Sequence, residues 1–315
     1  GTMIRSLWQL YTKIYGEVAM FLKKIKGKLD GINHQRQYKK TYNRVVEELE
    51  RNRENFGLNE AVREEEIIVS LTSFPARFSK LHLVIESMLC QTMKPDKIIL
   101  YLDDDVVVDV EELPDSLKQL REFGLQIEKR GGRIKPHKKY YYAIKEHPDS
   151  IIITIDDDII YPKNLIEELY KVHKKFSKCV VATRSHKILF NEDGTIKKYN
   201  DWEWMNSSVE EPSMQLMATG CGGVLYPPHC MNDLLLDMPL FLKLTPNADD
   251  LWLKIMQVLN HTAVVNCNQE IRQKRVVVDG SQEESLNSSN VHQNINDVYM
   301  KNLLEYFKLS EKDFI

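Results

Sequence analysis

Three consecutive aspartates, Asp156-Asp157-Asp158, close the most apolar stretch of the chain, Ile151-Ile152-Ile153-Thr154-Ile155. Side chains alternate along an extended segment, so Asp156 and Asp158 are expected on one side and Asp157 on the other. Two neighbouring carboxylates repel strongly unless a cation lies between them. Oxygen ligands favour Mg2+ or Mn2+, ions that keep coordination positions for phosphate oxygens. The chemistry that follows is a divalent metal joining Asp156 and Asp158 to a diphosphate. An acidic turn facing solvent is the alternative, but five strand-forming residues directly upstream make so abrupt an acidic stop unusual.

Other groups lie within reach of such a site. Gly220, Gly222 and Gly223 let the backbone approach a ligand closely or adopt positive φ, or else form a plain turn before Val224-Leu225-Tyr226. Asp249-Asp250 precede a stripe of Leu251, Trp252, Ile255, Met256 and Leu259 at helical spacing. Acids there complement a helix N-terminus, and one of them is equally placed to accept a proton from a hydroxyl. Arg77, Lys135, Lys138, Lys139, Arg272, Lys274 and Arg275 form the pool of cations that a diphosphate would need. Trp202 and Trp204 are candidates for stacking on a ligand, with ordinary packing as the alternative.

Positioning these groups requires a scaffold, and the pattern specifies one. Strand-length apolar runs at residues 67–71, 97–102, 125–127, 151–155 and 179–183 alternate with helical spacing at 81–90, 113–123, 140–146 and 164–176. Apolar strands alternating with helices predict an α/β fold, a doubly wound, mostly parallel sheet with helices on both faces. Ligands in such sheets sit beyond the carboxyl ends of the strands. Those ends carry Thr72–Arg77, Asp103-Asp104-Asp105 and Asp156-Asp157-Asp158.

With these elements in order, the chain resembles nucleotide-sugar-dependent glycosyltransferases of the GT-A fold. The likeness is to bacterial family 2-like enzymes and to the C-terminal transferase domain of the exostosins. Asp156-Asp157-Asp158 resembles their D-x-D element, and Thr72, Ser73, Phe74 and Arg77 resemble the first nucleotide-contacting loop. Asp103 or Asp104 resembles the carboxylate that accepts the uracil N–H. Ala218–Gly223 resembles the segment beside the donor sugar, and Asn247–Trp252 the acidic pair near the acceptor. The resemblance implies a hexosyl- or hexosaminyltransferase using Mn2+ or Mg2+ and a UDP-sugar, with a glycan or lipid-linked saccharide as acceptor. Metal ligation would fall to Asp158 and Asp156, completed by a late histidine, His292; His229 and His186 are weaker candidates. Donor contacts would include Lys135, Lys139, Asp157, Gly222 and Gly223. The family pattern favours Asp250 as base, with Asp249 orienting it or touching the acceptor. Inversion and retention both stay open. Nucleotidyl transfer is disfavoured because no glycine-rich, lysine-containing loop follows the first strand. A non-catalytic sugar-binding or scaffold module is disfavoured by the intact acids.

The 315 residues carry a net charge of −3, which excludes a general nucleic-acid binder. Residues 1–45 hold ten Lys/Arg against Glu17 and Asp30, however. Leu7, Leu10, Ile14, Val18, Phe21, Leu22, Ile25 and Leu29 form an apolar stripe there. The segment is read as a basic amphipathic helix, for an anionic membrane surface through residues 3–40 or for docking and homo-oligomer formation. The domain reading is thus 1–65 arm and connector, 66–275 the α/β domain, and 276–315 a C-terminal segment closing the active site. Five scattered cysteines without a C-x-x-C pair suit a reducing compartment and no zinc site. No apolar run approaches the ~20 residues of a membrane helix. The resemblance, together with the basic arm, implies a cytoplasmic protein, peripheral on the inner face of the cell membrane and serving polysaccharide assembly.

Overall fold

In this computed structural model the described residues are 31, 33, 35–107, 109–206, 211–281 and 294–315. The chain divides into two compact units, Gly1–Glu48 and Leu49–Ile315. Within the first, residues 35–48 are helical (α1), and Tyr38 and Tyr42 stack one turn apart. The basic amphipathic pattern read over residues 7–29 lies outside the described residues.

The second unit is built on seven strands: β1 (Ile67–Thr72), β2 (Lys97–Asp103), β3 (Leu125–Arg130), β4 (Ile151–Thr154), β6 (Val180–Ala182), β9 (Val224–Tyr226) and β10 (Val264–Asn266). Their order across the sheet is β10-β6-β9-β4-β1-β2-β3, and only β9 runs antiparallel to its neighbours. The chain therefore walks outward from β1 to β3, then returns to place β4 on the other side of β1. Such a reversal opens a crevice beyond the strand ends, where ligands bind in open α/β sheets. All four residues of β4 and the first five of β1 are buried, so both sheet faces are covered, as parallel strands of unbroken apolar character require.

The helices are α2 (Phe78–Leu89), α3 (Asp115–Lys118), α4 (Lys138–Glu146), α5 (Leu165–Lys175), α6 (Met238–Leu244), α7 (Asp249–Leu259), α8 (Gln269–Lys274) and α9 (Ile295–Phe307). Helix α4 packs on β1, β2 and β4, and α5 on β6 and β9. The expected helix over 113–123 is shorter than its spacing suggests. Pro114 starts a single turn, α3, a 3-10 segment Gln119–Phe123 follows, and Gly124 at φ +104° ends it.

Two small antiparallel ribbons were not expected. In one, β5 (Ile159–Ile160) pairs with β11 (Val276–Val277); in the other, β7 (Ser185–Lys187) pairs with β8 (Leu216–Ala218). Strands of two or three residues are too short to show a period. Among the described residues no helix is long and apolar enough to cross a membrane.

Candidate functional site

Strand β4 stops at Thr154, and residues 157 and 158 form a turn before β5. The alternation expected of an extended segment therefore does not hold. Asp157 and Asp158 both meet the Arg77 guanidinium, the first in a direct hydrogen bond and the second at 3.3 Å. Asp157 also accepts from Ser73 Oγ at 2.6 Å. Burial raises its pKa against the pull of Arg77 and Ser73. Asp156 faces a different cation, Lys139, at 3.0 Å. The Tyr161 hydroxyl meets the Asp156 main-chain N at 3.0 Å and so fixes this turn.

Lys139 lies on the first turn of α4 and is buried, at 7% exposure. Its ammonium also lies 2.9 Å from Asp249 at the start of α7. Burial disfavours that ammonium, but Asp156, Asp249 and Asp250 outweigh it and hold the lysine pKa well above its ordinary value. The next acid, Asp250, has no such direct ion pair among the described residues and keeps partial solvent access. Its Oδ1 accepts the Gly220 N–H at 3.1 Å. Burial, then the nearby Asp249 carboxylate, pushes Asp250 up to about 7, the range in which a carboxylate exchanges protons at neutral pH. Gly220 reaches this place through topology. Val224, at the start of antiparallel β9, pairs with Thr154 at the end of β4, so the glycine segment ahead of β9 falls beside the acids. A Cβ on Gly220 would strike Lys139 Nζ and lie 3.4 Å from both Asp156 and Asp250.

The remaining residues singled out from the sequence fall into two groups. Around the ends of β1 and β2, Thr72 Oγ1 donates to the Tyr101 carbonyl at 2.8 Å, and Asp103 pairs directly with Lys138. The Asp104 carboxylate covers Gly131, and Phe74 is exposed beneath the Arg77 guanidinium, 5.1 Å from its ring centre. Lys135 is held by Asn247 at 2.8 Å. On the β9 side, Gly222 offers its carbonyl to Thr183, and Gly223 adopts φ +89°. The segment after β11 also reaches the acids, because Val278 N donates to the Asp158 carbonyl and Arg77 to the Ser281 carbonyl.

Several secondary candidates have other work. Trp202 is buried with its indole N–H on the Lys197 carbonyl, and Trp204 donates to the Tyr199 carbonyl while stacking on His186. Packing, the alternative considered for these tryptophans, accounts for both. His186 is buried, accepts the Met205 N–H through Nδ1, and is pushed down to about 3 by burial. His229 pairs with exposed Asp149, beside a hollow of about 200 Å³ lined by Ile152, Tyr226 and Cys230 at the opposite end of β4. That hollow is remote from the acids. His292 lies outside the described residues.

One group was missed. Arg184 follows β6, and its guanidinium bonds Cys221 Sγ at 2.5 Å, one residue from Gly220. A lone arginine between two short strands carries no motif; the β7–β8 ribbon brings it to the glycine segment, with Ser185 opposite Ala218 and Thr219 N donating to the Arg184 carbonyl at 3.0 Å.

The residues suit a divalent ion by charge and by donor type. Five carboxylates (Asp156, Asp157, Asp158, Asp249 and Asp250) meet two directly paired cations, Arg77 and Lys139, so negative charge is in excess. Among the described residues no three His, Cys, Asp or Glu side chains form a ready metal cage. A small hard ion bound together with phosphates needs only one or two carboxylates.

No protein-family model matches the chain, and no curated protein matches it either. Among solved structures it is similar to S. aureus TarS 1–349 in complex with UDP, at 13% identity and a TM-score of 0.42 over 64% of this chain and 57% of that one. It is also similar to S. aureus TarS 1–349 alone, at 12% identity and a TM-score of 0.41 over 64% and 58%. The chain thus spans less than two thirds of the solved chains it matches.

Proposed function

We propose that the chain is a metal-dependent glycosyltransferase. It would move a hexosyl or hexosaminyl group from a UDP-sugar to a hydroxyl of a glycan or lipid-linked saccharide. The observation that carries this reading is the convergence of Asp156, Asp249 and Asp250 on Lys139 and Gly220, beyond the ends of β1 and β4. Acids and a glycine from three separate chain segments meet where a doubly wound sheet binds its ligand.

Each residue then has a task. Asp103 and Asp104 face the base, and Thr72–Arg77 line the nucleoside, with Phe74 offering an exposed ring. Asp156 and Asp158 would hold Mn2+ or Mg2+, which when bound neutralises charge on the departing diphosphate. Gly220 leaves room for the sugar beside Asp156 and Asp250. Asp250 takes the proton from the acceptor hydroxyl as its oxygen attacks the anomeric carbon and the bond to the diphosphate breaks. Asp249, ion-paired with Lys139, holds that lysine in place. The basic segment 3–40 would bring the enzyme to the anionic inner face of the cell membrane, at the site of polysaccharide assembly.

The test is UDP release from a panel of UDP-sugars, with and without Mn2+. Turnover with one sugar, lost on chelation and in Asp250→Asn while UDP binding persists, supports the reading. No turnover together with no metal-dependent nucleotide binding overturns it.

A further inference from the structure

The structure reassigns the cations. Of those available to a diphosphate, Arg77 is taken by Asp157 and Asp158, Lys138 by Asp103, Lys139 by Asp156 and Asp249, Lys135 by Asn247, and Lys274 by Glu270. Arg272 and Arg275 remain, and Arg184 joins them. Arg184 bonds Cys221 Sγ, and Arg275 donates to the Cys221 carbonyl at 2.9 Å with Sγ at 3.5 Å. Arg272 donates to the Met205 carbonyl at 3.3 Å. Among the described residues none of the three lies within ion-pair distance of a carboxylate. They also repel one another: burial, and then Arg275 and Arg184, lower the pKa of Arg272. Among the described residues the buried Arg184 Nε has no acceptor. Like charges gathered with no carboxylate in ion-pair contact among the described residues, although Asp250 acts on Arg184 from farther off, mark the place of an anion.

We propose that Arg184, Arg272 and Arg275, converging around Cys221, form the subsite that receives the departing diphosphate. The position suits that ligand. Arg275 directly precedes β11, whose partner β5 follows Asp158, and Cys221 follows Gly220 at the Asp156–Asp250 gap. Guanidinium forks match phosphate oxygens two at a time, so the arginines take the charge on the face that the acids cannot serve. The proposal rests on the donor reading above and adds the residues that hold its leaving group.

Calorimetry with UDP, uridine and inorganic pyrophosphate, and peptide-mapped alkylation of Cys221, test it in the full chain. Arg275→Gln and Arg272→Gln are expected to weaken UDP and pyrophosphate binding at least 10-fold. Among the described residues Arg272 hydrogen-bonds only the Met205 carbonyl, so its replacement guards against a variant that fails to fold. Pyrophosphate is expected to protect wild-type Cys221 from iodoacetamide. If wild type binds pyrophosphate and not UDP, and the arginine variants lose it, the subsite stands while the UDP-sugar reading falls. UDP and pyrophosphate affinities within twofold of wild type in both variants, with Cys221 equally alkylated in every state, would overturn the subsite.

Discussion

The main-chain N–H of Gly220 donates to the Asp250 carboxylate at 3.1 Å, tying the segment ahead of β9 to the first turn of α7. The proposed base is thus aimed by a residue whose missing side chain also leaves space beside Lys139, Asp156 and Asp250. Gly220→Ala would press a methyl group on Lys139 and crowd both carboxylates. We expect turnover to fall about 100-fold or more, the scale of a 1 Å misplacement. The stability loss should stay near 1–3 kcal/mol, as for overpacking. Steady-state kinetics beside denaturant melts check this, and wild-type turnover would contradict it.

Lys139 bridges two chain segments through buried charge. Lys139→Met leaves Asp249 buried without its cation, which costs about 3–5 kcal/mol in comparable buried pairs. Adding Asp249→Asn should recover part of that loss, because the stranded charge is removed with its partner. Urea denaturation of the two single variants and the double variant reads the coupling. Additive losses would contradict a direct Lys139–Asp249 interaction.

Lys254 is buried in α7, and among the described residues its ammonium has no hydrogen-bond partner. Burial pushes its pKa down to about 7. The native state therefore binds fewer protons than the unfolded state between about pH 7 and 10.5. Stability should rise with pH across that window, and the penalty should be complete below pH 7. Lys254→Met is predicted to stabilise by on the order of 2–4 kcal/mol at pH 6 and to flatten the pH dependence. Melts from pH 6 to 10 test it; an unchanged slope would show that the ammonium is solvated.

Much of this architecture is legible in the residues. Ile151–Ile155 is an unbroken apolar run ending in acids, and it forms the strand expected of it, as do the runs at 67–71, 97–102 and 179–183. Asp249-Asp250 ahead of an apolar stripe likewise open helix α7. What stayed hidden depends on long-range pairing. The β5–β11 ribbon has two residues a side, and Arg184 joins Cys221 through the equally short β7–β8 ribbon, three residues a side. Asp156 and Asp158 part company for a local reason: strand geometry ends at Thr154, and the turn brings Asp157 and Asp158 to the same arginine. Lys254 shares a helix with buried Leu251 and Ile255, and its spacing alone does not distinguish a buried ammonium from a surface one.

For the basic segment, deletion of residues 3–40 is predicted to lower partitioning onto anionic liposomes while leaving nucleotide binding intact. Each lysine or arginine near such a surface contributes about 1 kcal/mol, so the difference should shrink in high salt. Sedimentation with liposomes of defined anionic content measures it. Equal partitioning of the two chains would favour a docking helix.

The central claim is that carboxylates at the end of β4 hold a nucleotide donor through a divalent ion. Calorimetric titration of UDP into wild type and Asp158→Asn, with Mn2+ and with chelator, tests it most directly. The account predicts Mn2+-dependent binding to wild type, weakened at least 10-fold by the substitution. Equal affinity in all four titrations, or no UDP binding in any, would contradict it.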